Sequence, residues 1–459
     1  MRASKEVRVI ETATVVDNPV HSRVQLLRIL GLGFGLAVAV GNTISAGILR
    51  TPGEVAQHLP NMWIFLGVWV LAGLYALLCA FSMAELATML PSSGGHYVYA
   101  RYAFGEYPGF FIGWCDWLGN SGTNALVSMV IGEYAGLLFP ALAGKSTLIA
   151  CTVVTVFSLL QWVGTKWGAG VQNVSSAIKA LMFVALALAC LFYATPSHAG
   201  SPVPPLPQGF GLIAAMILAM QAAVYTYDGW QAVIYFSEEV HDPARDIPRS
   251  MFGGVLLVMG IYVLLNVALV RTLPIGQIAG NKLALGSAAG MLWGPRADTI
   301  LQVVTIISML AAVNAIQLMA PRIMFAMSRD GLFHHSGAHV NRGGTPDVAL
   351  LMSLVVEVAF ILTGTFNQVI ASLALFFVVN YIMDFLSVLV LRRREPERAR
   401  PYRAWGYPYT TVFALIVSFA YIVGVFVSDT SNSIRGLVIL AASYPLFRLV
   451  KWTSRASSH

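Results

Sequence analysis

Residues 38–49 read VAVGNTISAGIL and interrupt the first long apolar segment of the chain. The centre of a membrane-spanning helix is usually rich in Leu, Ile, Phe and Val, but this stretch carries two glycines, an asparagine, a threonine and a serine. Glycine costs about 1 kcal/mol relative to alanine inside a helix, and a backbone group without a partner in lipid costs more. The stretch therefore predicts a helix that is broken near residues 43–47, with N–H groups on one half and carbonyls on the other.

The whole chain has the composition of a helical membrane protein. Of its 459 residues, 57% are hydrophobic and 11% are charged, whereas about 25% are charged in a typical soluble domain. Apolar runs of about 20 residues recur along the chain, and each is long enough to cross a bilayer. The four cysteines lie inside these runs, where small buried hydrophobes are expected rather than disulfides or metal ligands.

The apolar runs predict twelve spanning helices. They cover residues 29–58, 62–89, 108–139, 146–163, 169–194, 210–239, 249–271, 298–327, 347–364, 367–391, 409–427 and 433–450. A short amphipathic helix is expected after the second span, within residues 91–102.

The distribution of Lys and Arg predicts the orientation of these helices. An even number of spans places both termini on one side of the membrane, and the loops on that side, such as residues 392–403, hold most of the basic residues. We therefore expect a multi-pass protein of the plasma (inner) membrane with both termini in the cytoplasm. The tails would be residues 1–28, which lack a signal-peptide pattern, and residues 451–459.

A second interruption lies in the sixth predicted helix, where residues 225–231 read YTYDGWQ. It follows the first by five helices, and because five is odd, the second group of five helices is inverted relative to the first. Interrupted helices at matching places in two inverted halves are typical of a transporter's binding site. The halves would be residues 29–194 and 210–391, with two peripheral helices in residues 404–450. Glycine also promotes close packing of ordinary spanning helices, and this alternative stays open.

Several motifs follow one another in a fixed order between about residues 31 and 408. They read SAGILRTP at 45–52, PSSGGHYVY at 91–99, YDGW at 227–230, RDIP at 245–248, MSRDGLF at 327–333, RRREP at 392–396 and RPYR at 400–403. With these motifs the chain resembles the transporters of the amino acid–polyamine–organocation (APC) superfamily, and within it the L-type and bacterial amino acid permeases.

The resemblance implies an all-α membrane protein with a leucine-transporter-type core, in which five plus five helices form an inverted repeat and helices 1 and 6 are broken. It implies a secondary transporter, a permease or exchanger, that moves neutral L-amino acids by alternating access. The substrate carboxylate would meet N–H groups of the first break, and the amine would meet carbonyls of both breaks. The implied substrate-binding residues are Thr43, Ile44, Ser45, Ala46, Gly47, Tyr225, Tyr227, Asp228, Trp230 and Gln231. Ala46 departs from the family pattern, which often has serine there.

Two buried charges are candidates for a function. Lys179 lies about 15 Å along the fifth helix, near the bilayer midplane, so its ammonium must find carbonyls or a carboxylate. The resemblance implies that it replaces a sodium ion beside the first break, which predicts sodium-independent transport; Ala312 fits this loss of an ion site. Asp228 could cap the inner half of the sixth helix or serve the substrate amine or a proton.

The sequence argues against several other classes of protein. It has no clustered metal ligands, no nucleophile beside a base and no ATP-binding loop, so neither an enzyme nor a cofactor is expected. The net charge of +7 is accounted for by topology, so the expected partners are an amino acid and membrane lipid, not nucleic acid. A cationic amino acid or polyamine carrier remains an alternative, as does a sensor that binds amino acids without transporting them. The oligomeric state and the choice between exchange and proton coupling stay open.

Overall fold

The computed structural model describes residues 26–45, 47–193, 203, 205–281, 283–363, 366–428 and 430–456. Within these ranges the protein is all-α, and its extended backbone pairs only in a bridge between Leu30 and Val240. The α-helices are α1 (Leu32–Thr43), α2 (Gly47–His58), α3 (Met62–Met89), α4 (His96–Phe104), α5 (Glu106–Leu138), α6 (Ser146–Val163), α7 (Thr165–Tyr193), α8 (Phe210–Tyr227), α9 (Pro243–Thr272), α10 (Ile275–Ile278), α11 (Ala284–Trp293), α12 (Ala297–Arg329), α13 (Asp347–Thr363), α14 (Phe366–Arg394), α15 (Tyr409–Ser428), α16 (Thr430–Ala441) and α17 (Ser443–Ala456). Short 3-10 helices cover Pro140–Leu142, Trp230–Phe236, Gly294–Arg296 and His335–Ala338.

Many of these helices can cross a membrane. Among the described residues, eight are long and apolar enough to do so, and α1 and α2 add a ninth span if the bent pair counts as one. The axes of α1 and α2 differ by 51°. Two further helices stand where the sequence predicts spans: α5, which has 33 residues, and α13, which has 17.

Three elements differ from the sequence prediction. The span expected at 433–450 is wrong as a single helix, because α16 ends at Ala441 and α17 begins at Ser443. Pro445 explains this division, since it has no N–H to donate to the carbonyl four residues earlier. Residues 230–236, expected to continue the sixth helix, form a 3-10 helix. The helices α10 and α11 occupy a segment that the sequence treats as a loop.

The second span shows how local sequence sets a boundary. The side chain of Asn61 accepts hydrogen bonds from the backbone N–H groups of Trp63, at 3.0 Å, and Ile64, at 3.2 Å. These bonds satisfy two of the four N–H groups that are left free at a helix start. The helix α3 accordingly begins at Met62 and ends at Met89, the bounds that the sequence predicts.

The two interruptions lie between two hydrophobic clusters. One cluster, which we call the α4-side cluster, includes Phe34, Tyr97 and Trp230. The other, the α2-side cluster, includes Ile44 and Tyr227. The chain passes from the α4-side to the α2-side cluster along α1, and in the opposite sense from α8 into the 3-10 helix. Opposite chain directions at the two interruptions fit the inverted halves that the sequence predicts.

Candidate substrate site

The first interruption separates α1 from α2 and is held by a buried lysine. The Lys179 ammonium donates to the carbonyl of Gly41 at 2.8 Å and to that of Ile44 at 2.5 Å. The hydroxyl of Ser308 on α12 also donates to the Ile44 carbonyl, at 3.2 Å. The last carbonyls of a helix have no partner within it and carry partial negative charge, so a cation is stabilising there. Lys179 is fully buried on α7 and supplies that charge.

Glycine at position 41 lets α7 approach α1 closely. A Cβ atom on Gly41 would lie 1.9 Å from Gln172 Nε2 and 2.4 Å from Ser176 Oγ. Both of these side chains donate to the carbonyl of Ala37, at 3.3 and 2.7 Å. Gln172, Ser176 and Lys179 are spaced by four and three residues, so they share one face of α7. This face of α7 therefore packs along the C-terminal part of α1, from Ala37 to the carbonyls at the interruption.

The second interruption touches the first. The helix α8 ends at Tyr227, and Gly229 has a φ of +116°, a conformation that favours glycine. A Cβ atom on Gly229 would lie 2.9 Å from both the side-chain nitrogen of Asn42 and the backbone nitrogen of Thr43. Glycine is therefore needed at position 229 for two reasons. It adopts the positive φ of the turn, and its lack of a side chain allows the contact between the two interruptions.

Asp228 interacts with side chains and does not cap a helix. Its carboxylate oxygen Oδ1 accepts a hydrogen bond from the Tyr381 hydroxyl of α14 and another from Gln231 Nε2, at 3.4 Å. The N-cap position of the 3-10 helix belongs to Gly229, whose N–H donates to Gln231 Oε1 at 3.1 Å. The cap interpretation of Asp228 therefore gives way to that of a carboxylate held by a tyrosine from another helix.

A tyrosine of α9 joins the two interruptions. The hydroxyl of Tyr262 lies 3.0 Å from the carbonyl of Thr43 and 3.0 Å from that of Thr226. A hydroxyl has one proton to donate, so the two carbonyls share it. The hydroxyls of Thr51 and Thr226 are 2.7 Å apart and add a second link, between α2 and α8.

A cavity of about 100 Å³ lies between the interruptions. Of the residues that the sequence proposes for the substrate, six line it: Thr43, Ser45, Gly47, Tyr225, Asp228 and Gln231.

The other proposed residues lie outside the lining of this cavity. Ile44 contributes its carbonyl to Lys179, and the Tyr227 hydroxyl donates to the carbonyl of Trp69 at 2.9 Å. Trp230 stacks on the ring of Tyr381, with 6.3 Å between the centroids. Ala46 lies outside the described residues. Lys179 acts through carbonyls and does not itself line the cavity.

The remaining wall comes partly from the interrupted stretches, which supply Asn42 and Thr226, and otherwise from α5, α12, α14 and the 3-10 helix. These residues are Asn42, Asn120, Thr123, Val127, Thr226, Tyr235, Ala312, Ile316, Met319 and Phe377. Asn120 and Thr123 of α5 could have been found, because polar residues three positions apart mark one face of an otherwise apolar helix. Residues such as Ile316 and Phe377 carry no such signal, since apolar residues in apolar helices are expected anyway.

Comparison with known proteins agrees with these features. A family model described as amino acid permease matches residues 30–446. The chain belongs to the amino acid permease family. It is a membrane transporter of the APC superfamily and not an enzyme.

Individual relatives share about a quarter of their residues with this permease. It is 28% identical over 425 residues to the serine/threonine exchanger SteT of Bacillus subtilis, which covers 91% of this chain and 95% of that protein. It is 27% identical over 449 residues to the human large neutral amino acids transporter small subunit 2, covering 94% and 82%. It is 26% identical over 456 residues to the mouse Asc-type amino acid transporter 1, covering 94% and 83%.

Proposed function

We propose that this permease carries small neutral L-amino acids by alternating access and does so without sodium. In this proposal it has twelve spans, formed by α1–α2, α3, α5, α6, α7, α8 with its 3-10 helix, α9, α12, α13, α14, α15 and α16–α17. The first ten form two inverted halves, residues 29–194 and 210–391, and both termini and α4 face the cytoplasm. The observation that carries the proposal is the cavity between the interruptions, with Lys179 bound to the carbonyls beside it.

The chemistry of the cavity suits an α-amino acid. Gly47 is the first residue of α2, where free N–H groups and the positive end of the helix dipole favour a carboxylate. Ser45 and Gly47 line the cavity at this end. Tyr225 and Asp228 line it at the end of α8, where carbonyls and a carboxyl favour an ammonium group. One cavity thus offers partners for both charges of a zwitterion.

The cavity suits a single small molecule with a polar side chain. One ordered water needs about 10–15 Å³ of cavity volume, so a cavity of about 100 Å³ accommodates a molecule of the size of an amino acid. Amide and hydroxyl groups of Asn42, Asn120, Thr123 and Thr226 line it and suit a short polar side chain. The serine/threonine exchanger among the relatives is consistent with this substrate class.

Lys179 supports the proposal of sodium independence. Its amino group donates two hydrogen bonds to α1 carbonyls, at 2.8 and 2.5 Å, at the place in the break where an ion would otherwise be needed. The ammonium is fully buried and belongs to the protein, so the site is filled without a cation from outside. The Ser308 hydroxyl completes the coordination of the Ile44 carbonyl.

A cationic amino acid or polyamine is the second candidate substrate, and Asp228 is the observation in its favour. Its carboxylate lines the cavity, and within the described part of the chain its hydrogen-bond donors, Tyr381 and Gln231, are neutral, so it could balance a second positive charge.

A ligand screen followed by transport assays tests the proposal. The melting temperature of the purified protein is measured with each common amino acid and with putrescine, and proteoliposomes are then assayed for uptake of L-[³H]serine in sodium and in choline buffers. We expect stabilisation by small neutral amino acids and equal uptake in both buffers. Stabilisation by lysine, arginine or putrescine alone would establish the second candidate. A requirement for sodium would overturn the role of Lys179, and binding without transport would indicate a sensor.

A further inference from the structure

His96 and Asp384 form a buried pair that has no part in the binding of the amino acid described above. The imidazole Nδ1 lies 2.6 Å from Asp384 Oδ2, and the two side chains are 1% and 0% exposed. His96 is the first residue of α4, and Asp384 belongs to α14. Gly95 precedes the histidine with a φ of +59°, and a Cβ atom there would lie 2.6 Å from the ring of Tyr235. This glycine allows the imidazole to enter the protein interior.

Two tyrosines connect this pair to the cavity. The rings of Tyr235 and Tyr381 meet the imidazole edge-on, with centroids 5.8 and 6.0 Å from it. The Tyr235 hydroxyl donates to Asp116 Oδ1 at 2.9 Å, and the Tyr381 hydroxyl donates to Asp228 Oδ1. Tyr235 and Asp228 both line the cavity. The His96–Asp384 pair is therefore separated from the proposed substrate by one layer of side chains.

The imidazole of His96 and the carboxyl groups near it cannot all be ionised without a net negative charge. The titratable groups that face the imidazole come from α14, α5, the 3-10 helix and the interruption before it: Asp384, Tyr381, Asp116, Tyr235 and Asp228. Asp384 contacts the imidazole, and Asp116 and Asp228 accept hydrogen bonds from the two tyrosines that pack against it. If all three carboxyls were ionised, the net charge would be −2 even with a protonated imidazole. Unbalanced buried charges cost several kcal/mol each, so binding of a proton by this group is favoured.

Unpaired polar atoms mark where a further proton can bind. Asp384 Oδ1 and Asp116 Oδ2 are buried and lack a hydrogen-bond partner in the described part of the protein. So do both amide atoms of Asn380, one helical turn before Asp384 on the same face of α14. Among the described residues no group of three or more His, Cys, Asp or Glu side chains could hold a metal ion. A proton is the cation that suits these atoms.

We propose that the His96–Asp384 pair binds a coupling proton, so that each amino acid enters together with a proton. The inference rests on the proposed function, because it needs the cavity to be the substrate site. The proton enters from the outer water through the cavity, from which the pair is separated by the rings of Tyr235 and Tyr381. Only O–H and N–H bonds change. The added proton makes the pair neutral overall, either as imidazolium and carboxylate or as imidazole and carboxylic acid.

The position of His96 on α4 accounts for release into the cytoplasm. The same helix is tied to the end of α12, because the Tyr97 hydroxyl donates to Asp330 at 2.9 Å and Arg101 pairs with Asp330 at 2.7 Å. The Arg101–Asp330 ion pair is partly exposed, and surface ion pairs contribute about 0–1 kcal/mol, so separating this pair costs little. When α4 moves away from α12, water reaches the imidazole and the proton leaves.

Proteoliposomes that hold the full chain test this inference. The outside is set to about pH 5.5 and the inside to about pH 7.5, the membrane potential is clamped, and a pH-sensitive dye is enclosed. We expect L-[³H]serine to accumulate, with a limit of about 100-fold for one proton per substrate, and the lumen to acidify when serine is added. In His96→Gln and in the isosteric Asp384→Asn, accumulation and acidification should be lost while serine–serine exchange at equal pH persists.

His339 provides a matched control. Its Nδ1 lies 2.6 Å from Asp347, the same distance as in the buried pair, but its side chain is 59% exposed. His339→Gln should therefore accumulate serine as the wild type does. Strong exchange without acid-driven accumulation in the wild type would overturn the proton site and leave the proposed function intact. Accumulation that persists in both His96→Gln and Asp384→Asn would also overturn it. Failure of serine to bind or exchange at all would instead refute the proposed function.

Discussion

The two interruptions have side chains of opposite charge beside them. At the first, the ammonium of Lys179 reaches from α7 to the carbonyls at the end of α1. At the second, the interruption itself supplies a carboxylate, that of Asp228, which is held by Tyr381 of α14. The lysine is completely buried and does not line the cavity, whereas Asp228 lines it. The positive charge is thus part of the framework, and the negative charge is available to a ligand.

The two charges should therefore have different roles: Lys179 maintains the structure of the site, and Asp228 takes part in recognition of the substrate. Removing a framework charge should collapse the site for every substrate, because it leaves buried carbonyls without partners. Changing a charge that faces the cavity should instead alter which substrates bind and at which pH. The predictions below test these two expectations in order of decreasing effect.

Substitution of Lys179 should have the largest effect. In Lys179→Ala the carbonyl of Gly41 loses its lysine donor and that of Ile44 keeps only the Ser308 hydroxyl, so we expect serine uptake to fall by about 100-fold or more. Lys179→Arg should also transport poorly, because a planar guanidinium does not replace a compact ammonium. Initial uptake rates in proteoliposomes provide the measurement.

Lys145 is the matched control for this substitution. Its ammonium also donates to a carbonyl, that of Ala141 at 3.1 Å, but the contact is exposed. Lys145→Ala should keep wild-type uptake. Unchanged uptake in Lys179→Ala would contradict the framework role, and a new requirement for sodium in that variant would support it.

Gly229 should be the next most sensitive position. In Gly229→Ala the Cβ atom would be 2.9 Å from the backbone of Thr43, in addition to the strain of a positive φ. We expect uptake to fall by about 30-fold, because the two interruptions are forced apart. Gly209→Ala is the control, since that glycine has a φ of +56° but nothing within 4 Å of its Cβ position. An equal loss in both variants would show that backbone strain, and not the contact, is responsible.

The sequence predicts these elements well where the signal is local. The bounds of α3 follow from a continuous apolar run with an Asn cap, and the interruptions follow from clusters of glycine and polar residues. The position of Lys179 indicates that it needs carbonyls, because an ammonium cannot remain unpaired at that depth. Ser308, which shares the Ile44 carbonyl, was not predicted, since a single serine in a long helix is unremarkable.

Features that depend on long-range contacts are not visible in the sequence. His96 and Asp384 are 288 positions apart, so neither residue indicates its partner. Asp116 and Asp384 are recognisable as buried charges, but the tyrosines and the imidazole around them come from three separate elements. The division of α16 from α17 is a different case, because Pro445 is a local signal that the prediction of one span overlooked.

Tyr225 should control the size of the substrate. Its ring, together with Asp228 and Phe377, lines both the main cavity and a smaller one of about 30 Å³ that reaches Tyr421. Tyr225→Ala should join the two cavities and lower serine uptake by about tenfold, because a small substrate then loses contacts. Tyr225→Phe should stay within about twofold of the wild type, since ring volume and not the hydroxyl separates the cavities. Inhibition of uptake by L-leucine should rise in Tyr225→Ala alone, and an equal loss of serine uptake in both variants would indicate a hydrogen-bonding role.

Of these substitutions, Asp228→Asn should have the smallest effect on the transport of a neutral substrate. It should have a decisive effect on the transport of a cationic amino acid or polyamine. An asparagine oxygen still accepts the hydrogen bond of Tyr381, so the interruption keeps its shape, and we expect serine uptake within about threefold of the wild type. A second positive charge on the substrate would need the carboxylate itself, since an unpaired charge is costly in a partly buried site. The measurement is serine uptake in the two proteins across a range of pH, with competition by lysine and putrescine. Retained serine uptake with no competition by either cation supports a neutral substrate. If the variant loses transport and the wild type is inhibited by the cations, Asp228 balances a substrate charge. Lys179 would then be a structural cation, and Asp228 an anion that contacts the substrate.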